Sequence, residues 1–266
     1  MNQIMDSHCH WDHPHLQTLQ PALWQSCLDH GVGQLLVPGT QFNRFSSQVA
    51  LCETNEKWHL ALGLHPYFCD QHRPEHLLGL EHLLNHSQAV AVGEIGLDFA
   101  IDMTREAFSQ PNQEQLFIEQ VCLASRVELP IIVHCRKAND RMAQILRQQR
   151  FGQGGIVHAF SGSLQQAQAF TNLGFKIGLG GTLTYHRAQA MRRLSVALPL
   201  ADIVLETDAP DMPMAGGQEG GEYPNRPDYL PRVLDVLASL RPESIAQIAH
   251  QTHINTLQVL NLPMMI

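Results

Sequence analysis

The chain has no CxxC pair and no regular cysteine framework: its six cysteines, Cys9, Cys27, Cys52, Cys69, Cys122 and Cys135, are scattered. This excludes a disulfide-stapled secreted scaffold and a cysteine-based zinc finger, and points to reduced thiols in a cytoplasmic protein. No apolar run approaches the roughly 18 residues that span a bilayer, so no membrane association is expected. The opening residues lack a charged segment followed by an apolar stretch and a small-residue cleavage site, so no secretory signal is expected either. Positive charge is scarce: 17 Lys+Arg stand against 25 Asp+Glu, a formal charge of -8. With no run of five like charges, charge alone does not make this a nucleic-acid binder. A phosphate substrate would need local positive charge from another source, such as bound divalent cations. Internal repeats, low-complexity tracts and linkers are absent, and nothing points to an obligate protein partner.

What is present is a chain of 266 residues, close to the size of one barrel of eight strand-helix units, and residues 1–266 read as one domain. Short β-rich runs alternate with longer amphipathic stretches, the pattern of parallel strands joined by helical crossovers. The strands read as Ile4 to His8, Gln34 to Pro38, Leu60 to Leu64, Val90 to Glu94, Pro130 to His134, Gly155 to His158, Lys176 to Leu179 and Ile203 to Thr207. Glu114 to Glu128 and Asn139 to Gln149 carry apolar residues at helical spacing. After the eighth strand comes a loop rich in Gly and Pro, Ala209 to Pro227, then two helical stretches. A doubly wound open sheet would give a similar string. Strand count, length and polar residues at the C-terminal strand ends favour a single (β/α)8 TIM-type barrel, whose active site lies at that end.

Five of those strands end in a metal-competent residue. In DSHCH, side-chain alternation sets Asp6, His8 and His10 on one side, with Asp6 a layer deeper, and Ser7 and Cys9 on the other. The two histidines form a metal pair if they converge; the alternative is a surface pair, as for His13 and His15. Glu94 in VGEIGLD closes an otherwise apolar strand, where a lone carboxylate would be costly unless bound to metal or paired with an Arg. His134 in IIVHCR and His158 in GIVHAFSG hold equivalent positions on successive strands, whereas Cys135 is expected to face the helices. In LETDAP, Asp208 is a ligand or base with Glu206 orienting its neighbours from below, or else a helix cap before Pro210. Together these strands offer four histidines and two carboxylates, enough to hold two divalent ions. Nitrogen with oxygen suits Zn, Mn, Fe or Ni, and Mg remains compatible where carboxylate and phosphate dominate.

These motifs, with GLHP (Gly63 to Pro66) and NRP (Asn225 to Pro227), resemble the TatD family of metal-dependent hydrolases over essentially the whole chain. FSGSLQQA (Phe160 to Ala167), GGTLTY (Gly180 to Tyr185) and ETDAPDMP (Glu206 to Pro213) look most like its bacterial YjjV branch. The resemblance implies an amidohydrolase-like barrel and, since several members are deoxyribonucleases, DNA or a smaller phosphodiester as substrate. It implies that His8, His10 and Glu94 bind one ion, joined by Asp208, that Glu94, His134 and His158 bind the other, and that Glu94 bridges. His65 in GLHP matches a position at the site mouth that contacts phosphate. Phe99 stands where many members carry an aromatic hydroxyl, and the loop to Pro111 differs, which bears on substrate preference.

The mechanism expected is phosphodiester hydrolysis by a metal-activated water that Asp208 orients or deprotonates, with His65, Arg136 and Arg226 holding phosphate oxygens. The alternative is hydrolysis of a small amide, ester or lactone, which the fold does not separate from the first. A non-catalytic metal-binding protein would be expected to have lost ligand positions, and all six are present. The glycine-rich loop from Met212 to Arg226 is expected to be mobile and to shape substrate choice.

Overall fold

Aliphatic residues dominate every strand, and because side chains alternate across a strand they sort into two apolar layers. In the computed structural model, which describes residues 3–216 and 224–264, these strands are β1 (Ile4–Asp6), β2 (Val32–Pro38), β3 (Trp58–Leu62), β4 (Ala91–Asp98), β5 (Ile131–Arg136), β6 (Gly155–Val157), β7 (Phe175–Leu179) and β8 (Ile203–Leu205). Neighbours are parallel and follow chain order from β1 to β8. A doubly wound sheet reverses its order at a switch point, and this one does not. The outer strands meet as well: the Ser7 N–H donates to the Leu205 carbonyl (2.9 Å), and the Asp208 N–H to that of His8 (2.8 Å). The result is the TIM-type barrel read from the sequence, nearly closed, with helices between its strands.

One apolar layer gathers Met5, Leu36, Ala61, Ala91, Ile132, Ile156 and Val204, from seven of the strands. Leu257, Val259 and Leu260, around the end of the helix Ile245–Val259, pack with them. The second layer contains their sequence neighbours, such as Leu35, Val37, Ile131, Val133 and Ile203, packed with helix residues such as Phe117, Leu146, Phe170 and Leu237. With apolar packing on both sides of the strands, the sheet is fixed and the polar residues collect beyond its C-terminal edge.

The strand ends differ from the sequence reading where the site begins. β1, β6 and β8 stop at Asp6, Val157 and Leu205, so His8, His158 and Asp208 stand on the segments just beyond. β4 and β5 run on past Glu94 and His134, with Gly96 paired to His134 and Asp98 to Arg136. Asp6, at the end of β1, is fully buried. Its carboxylate accepts the N–H groups of Thr207 (2.9 Å) and His8 (3.2 Å) and the Thr207 hydroxyl, which takes donors from the strand ladder and ties β1 to the end of β8. Of the loop expected to shape substrate choice, residues 217–223, with Gly217, Gly220 and Gly221, lie outside the described residues. Among the described residues no helix is long and apolar enough to cross a membrane.

The extension of β4 depends on one glycine. Gly96 has φ +148°, and a Cβ there would lie 2.0 Å from the His134 carbonyl oxygen. Gly96→Ala is therefore expected to destabilise the protein by roughly 1–3 kcal/mol through overpacking, read as a lower midpoint in thermal or urea unfolding. An unchanged midpoint would mean that β4 and β5 part at that point without penalty.

Candidate metal centre

Glu94 lies at the convergence of the strand ends, on β4 and almost wholly buried. Its two oxygens face different partners. Oε2 lies 3.2 Å from His8 Nε2 and 3.6 Å from His10 Nε2. Oε1 lies 2.7 Å from His158 Nε2, 3.1 Å from His65 Nε2 and 3.3 Å from His134 Nδ1. Asp208 Oδ1 approaches from the β8 side, 3.5 Å from His8 Nε2 and 3.4 Å from His10 Nε2. No Arg is ion-paired to Glu94 among the described residues, so the alternative of an Arg partner is not realised. Asp208 caps no helix: its φ is +59°, a conformation that Asp adopts more readily than most side chains, and its carbonyl accepts the Asp211 N–H (2.8 Å).

Three groups have donor atoms within 4.8 Å of one another: His8, His10 and Glu94; His65, Glu94 and His134; and His8, His158 and Asp208. All six residues read as ligands from the sequence are thus brought together. His65 joins them: it is 7% exposed, lies against Glu94 and borders the cleft. His65 Nδ1 accepts the Tyr67 N–H (3.0 Å), so a neutral ring carries its proton on Nε2, which faces Glu94. That makes His65 a hydrogen-bond donor into the site, and burial, which lowers its pKa, favours this neutral form.

The remaining electrostatics are those of a carboxylate held by imidazoles. Burial opposes ionisation of Glu94, but the rings of His65, His158 and His8 hold its carboxyl well below the usual range. Burial likewise opposes a charge on His158, yet Glu94 pushes it up to about 10, and Asp208 pushes His10 up to about 9 against its own burial. Burial takes His8 down to about 4. Deeper in, burial raises Glu206 to about 8 and Asp6 to about 7.

Metal ions fit this donor set. Both ring nitrogens of His8 are buried without a hydrogen-bond partner, as is Nδ1 of His158. Buried polar atoms are rarely left so, and a lone pair of His8 Nε2 beside the Glu94 and Asp208 carboxylates is what a divalent cation would satisfy. The sixth donor is oriented from outside: His134 Nε2 lies 3.0 Å from Asp98 Oδ2, leaving Nδ1 for the centre.

The sequence reading did not single out Asp98 for that role, nor the side chains that clamp the site's loops. On the helix Gln110–Arg126, Gln120 accepts the Leu64 N–H (2.7 Å) and donates to the Leu64 carbonyl (3.0 Å), fixing the residue before His65. Seven residues earlier, Gln113 does the same for Asp98 (2.8 and 3.0 Å). In NRP it is Asn225 that matters, donating to the carbonyls of Thr207 (2.7 Å) and Met212 (3.1 Å) across the Asp208 turn. Two polar residues at helical spacing in an apolar face were the only sequence signal available for the glutamines.

Arg226 is not brought to the cleft: its guanidinium is held by Asp228 through Nε (3.0 Å) and Nη2 (2.6 Å). Arg136 does line the cleft, with its side chain 63% exposed and 3.9 Å from Asp98 Oδ2. Cys135 turns its thiol to Asn139 (3.2 Å) in the helix layer, although it also borders the cleft. Above the centre the cleft has a volume of about 890 Å³.

Residues 5–261 match the family described as TatD related DNase. The chain is 43% identical to the Escherichia coli protein named uncharacterized metal-dependent hydrolase YjjV, covering 98% of this chain and 99% of that one. The crystal structure of that TatD homologue superposes with a TM-score of 0.93, at 42% identity over 98% and 99% of the two chains. A 3'-5' ssDNA/RNA exonuclease TatD of Erwinia tasmaniensis is 32% identical, over 87% of this chain and 90% of its own. An amidohydrolase of Saccharomyces cerevisiae shares the fold, with a TM-score of 0.80 at 18% identity over 97% of this chain and all of its own.

Asp98→Asn tests the orientation of His134. The variant should fold normally but bind divalent metal roughly 10–100-fold more weakly, measured by calorimetric titration of the metal-free protein. Unchanged affinity would reduce Asp98 to a loop residue.

Proposed function

Since the chain belongs to the TatD family of metal-dependent hydrolases, we propose that it cleaves phosphodiester bonds of DNA by attack of water at the centre around Glu94. The observation that carries this reading is the division of Glu94 between two sets of donors: Oε2 with His8 and His10, Oε1 with His134 and His158. With Asp208 on the first side, these six residues would hold two divalent ions, with Zn, Mg, Mn and Ni all compatible with the donors. When bound, such ions supply Lewis acidity that lowers the pKa of water and positive charge that offsets the phosphate anion. In a chain of net charge -8, that local charge is what admits a polyanionic substrate.

The chain's own groups do the rest. Burial raises the pKa of Asp208, but the hydrogen bond from His10 and the nearby His158, His8 and His10 rings together outweigh it, so the carboxyl stays ionised, borders the cleft and is able to take a proton from the attacking water. His65 borders the cleft, and its Nε2–H, which faces Glu94 Oε1 at 3.1 Å, would also serve a phosphate oxygen; its ring is held by the Tyr67 N–H at one edge and its carbonyl by His72 Nε2 (2.9 Å). Arg136, at the rim, reaches a phosphate oxygen. The name of the Erwinia relative favours single-stranded substrate ends.

Two measurements test this. Exhaustive chelation should abolish hydrolysis of a labelled single-stranded oligonucleotide, and added Mn or Mg should restore it; a chelated protein that cleaves at full rate would sink the mechanism. Asp208→Asn, assayed at saturating metal, should lower turnover by ~10²–10⁴ without loss of thermal stability. Turnover on an amide or lactone panel, with none on phosphodiesters, would replace the reading by the other hydrolytic chemistry.

A further inference from the structure

One wall of the cleft takes no part in the metal centre. The turn Pro66–Phe68 follows His65 directly, and its Tyr67 is 60% exposed while bordering the cleft. The turn is held at several points: proline begins it, the Tyr67 N–H is taken by His65 Nδ1, and the His65 carbonyl is taken by His72. The rings step outward from the centre. Phe68 lies 6.2 Å from the His65 ring and Tyr67 lies 5.5 Å from Phe68. A rigidly mounted, largely uncovered aromatic ring thus stands two ring spacings from a histidine that touches Glu94. Arg136 borders the same cleft with its side chain 63% exposed.

A flat π-surface, an exposed guanidinium and a centre built for an anion match the three parts of a nucleotide strand: base, flanking phosphate and reacting phosphate. A small amide or lactone needs no such platform. We propose that Tyr67 stacks on an unpaired nucleobase of the nucleotide next to the bond being cleaved, with Arg136 on the adjoining phosphate. The inference rests on the phosphodiesterase reading above and adds the residue that selects the substrate. Bases inside a duplex are stacked on one another, so a platform of this kind selects single strands and frayed ends. Because every base has a π-face, it does so with little regard to sequence.

The test compares a single-stranded oligonucleotide with the same strand carrying tetrahydrofuran abasic residues at the end attacked. For Tyr67→Ala, KM on the base-bearing strand should rise about tenfold or more, the range seen when a stacking side chain is removed, while KM on the abasic strand stays as in the wild type. Tyr67→Phe keeps the ring and should restore the wild-type KM. Equal KM for wild type and Tyr67→Ala on the base-bearing strand, or an equal rise on both strands, would overturn the proposal. Calorimetric binding of adenosine 5'-monophosphate against ribose 5-phosphate separates it from the hydrolytic reading. If the wild type cleaves neither strand, that reading has failed. A Tyr67-dependent preference for the base-bearing phosphate would still support the platform, and equal affinities would overturn it.

Discussion

A carboxylate buried to 2% exposure among apolar strands is the constraint on which this structure turns. An ionised Glu94 without compensation would be far too costly to keep, and one positive partner would leave half of its lone pairs unmet. Five imidazoles are drawn round it, from both sides of the barrel mouth. Protons on some of those rings neutralise the charge in the metal-free protein, and cations would do so when bound, in exchange for those protons. The same requirement that keeps Glu94 stable therefore builds a place for divalent ions. Stability and chemistry have one origin here.

Glu94 and His134 are held by their strands, but the imidazoles and carboxylate on segments just past strand ends hold a site only if those segments are fixed. Much of that work falls to buried amides. Gln113 and Gln120 sit on one helix and present donor and acceptor together, so each pairs with a backbone N–H and C=O as a neighbouring strand would. Asn225 spans the Asp208 turn by donating to two carbonyls. Asp6 closes the seam between β1 and β8 from below. Together these bonds set the segments that carry the reacting groups against the rigid barrel.

The fold itself does not choose the bond to be cleaved, since barrels of this architecture host several hydrolytic chemistries. What bears on the choice is local: a centre whose donors would hold cations, a neutral His65 beside Glu94, and a rim that carries an aromatic ring and an exposed guanidinium. Phe99 is partly buried against the apolar layer. Tyr67 is the aromatic hydroxyl that borders the cleft among the described residues.

The eight strands, their order and the six donors could be read from the sequence because each rests on local rules. Apolar runs alternate with helical periodicity, and a histidine or carboxylate at the end of such a run has few uses inside an apolar layer. Strand ends were less legible, since β4 continues past Glu94 only because Gly96 lets its backbone approach that of His134. Strict alternation could not show what holds Asp6, which is bound by Thr207, 201 residues away. It also could not tell Arg136, left exposed at the rim, from Arg226, captured by Asp228. The position of His65 against Glu94, the role of Asp98 behind His134 and the glutamine clamps all depend on which groups meet across the barrel. Sequence determined which side chains could bind an ion. Tertiary structure decided which ones share it, because a hydrogen bond between distant strands leaves no periodic trace along the chain.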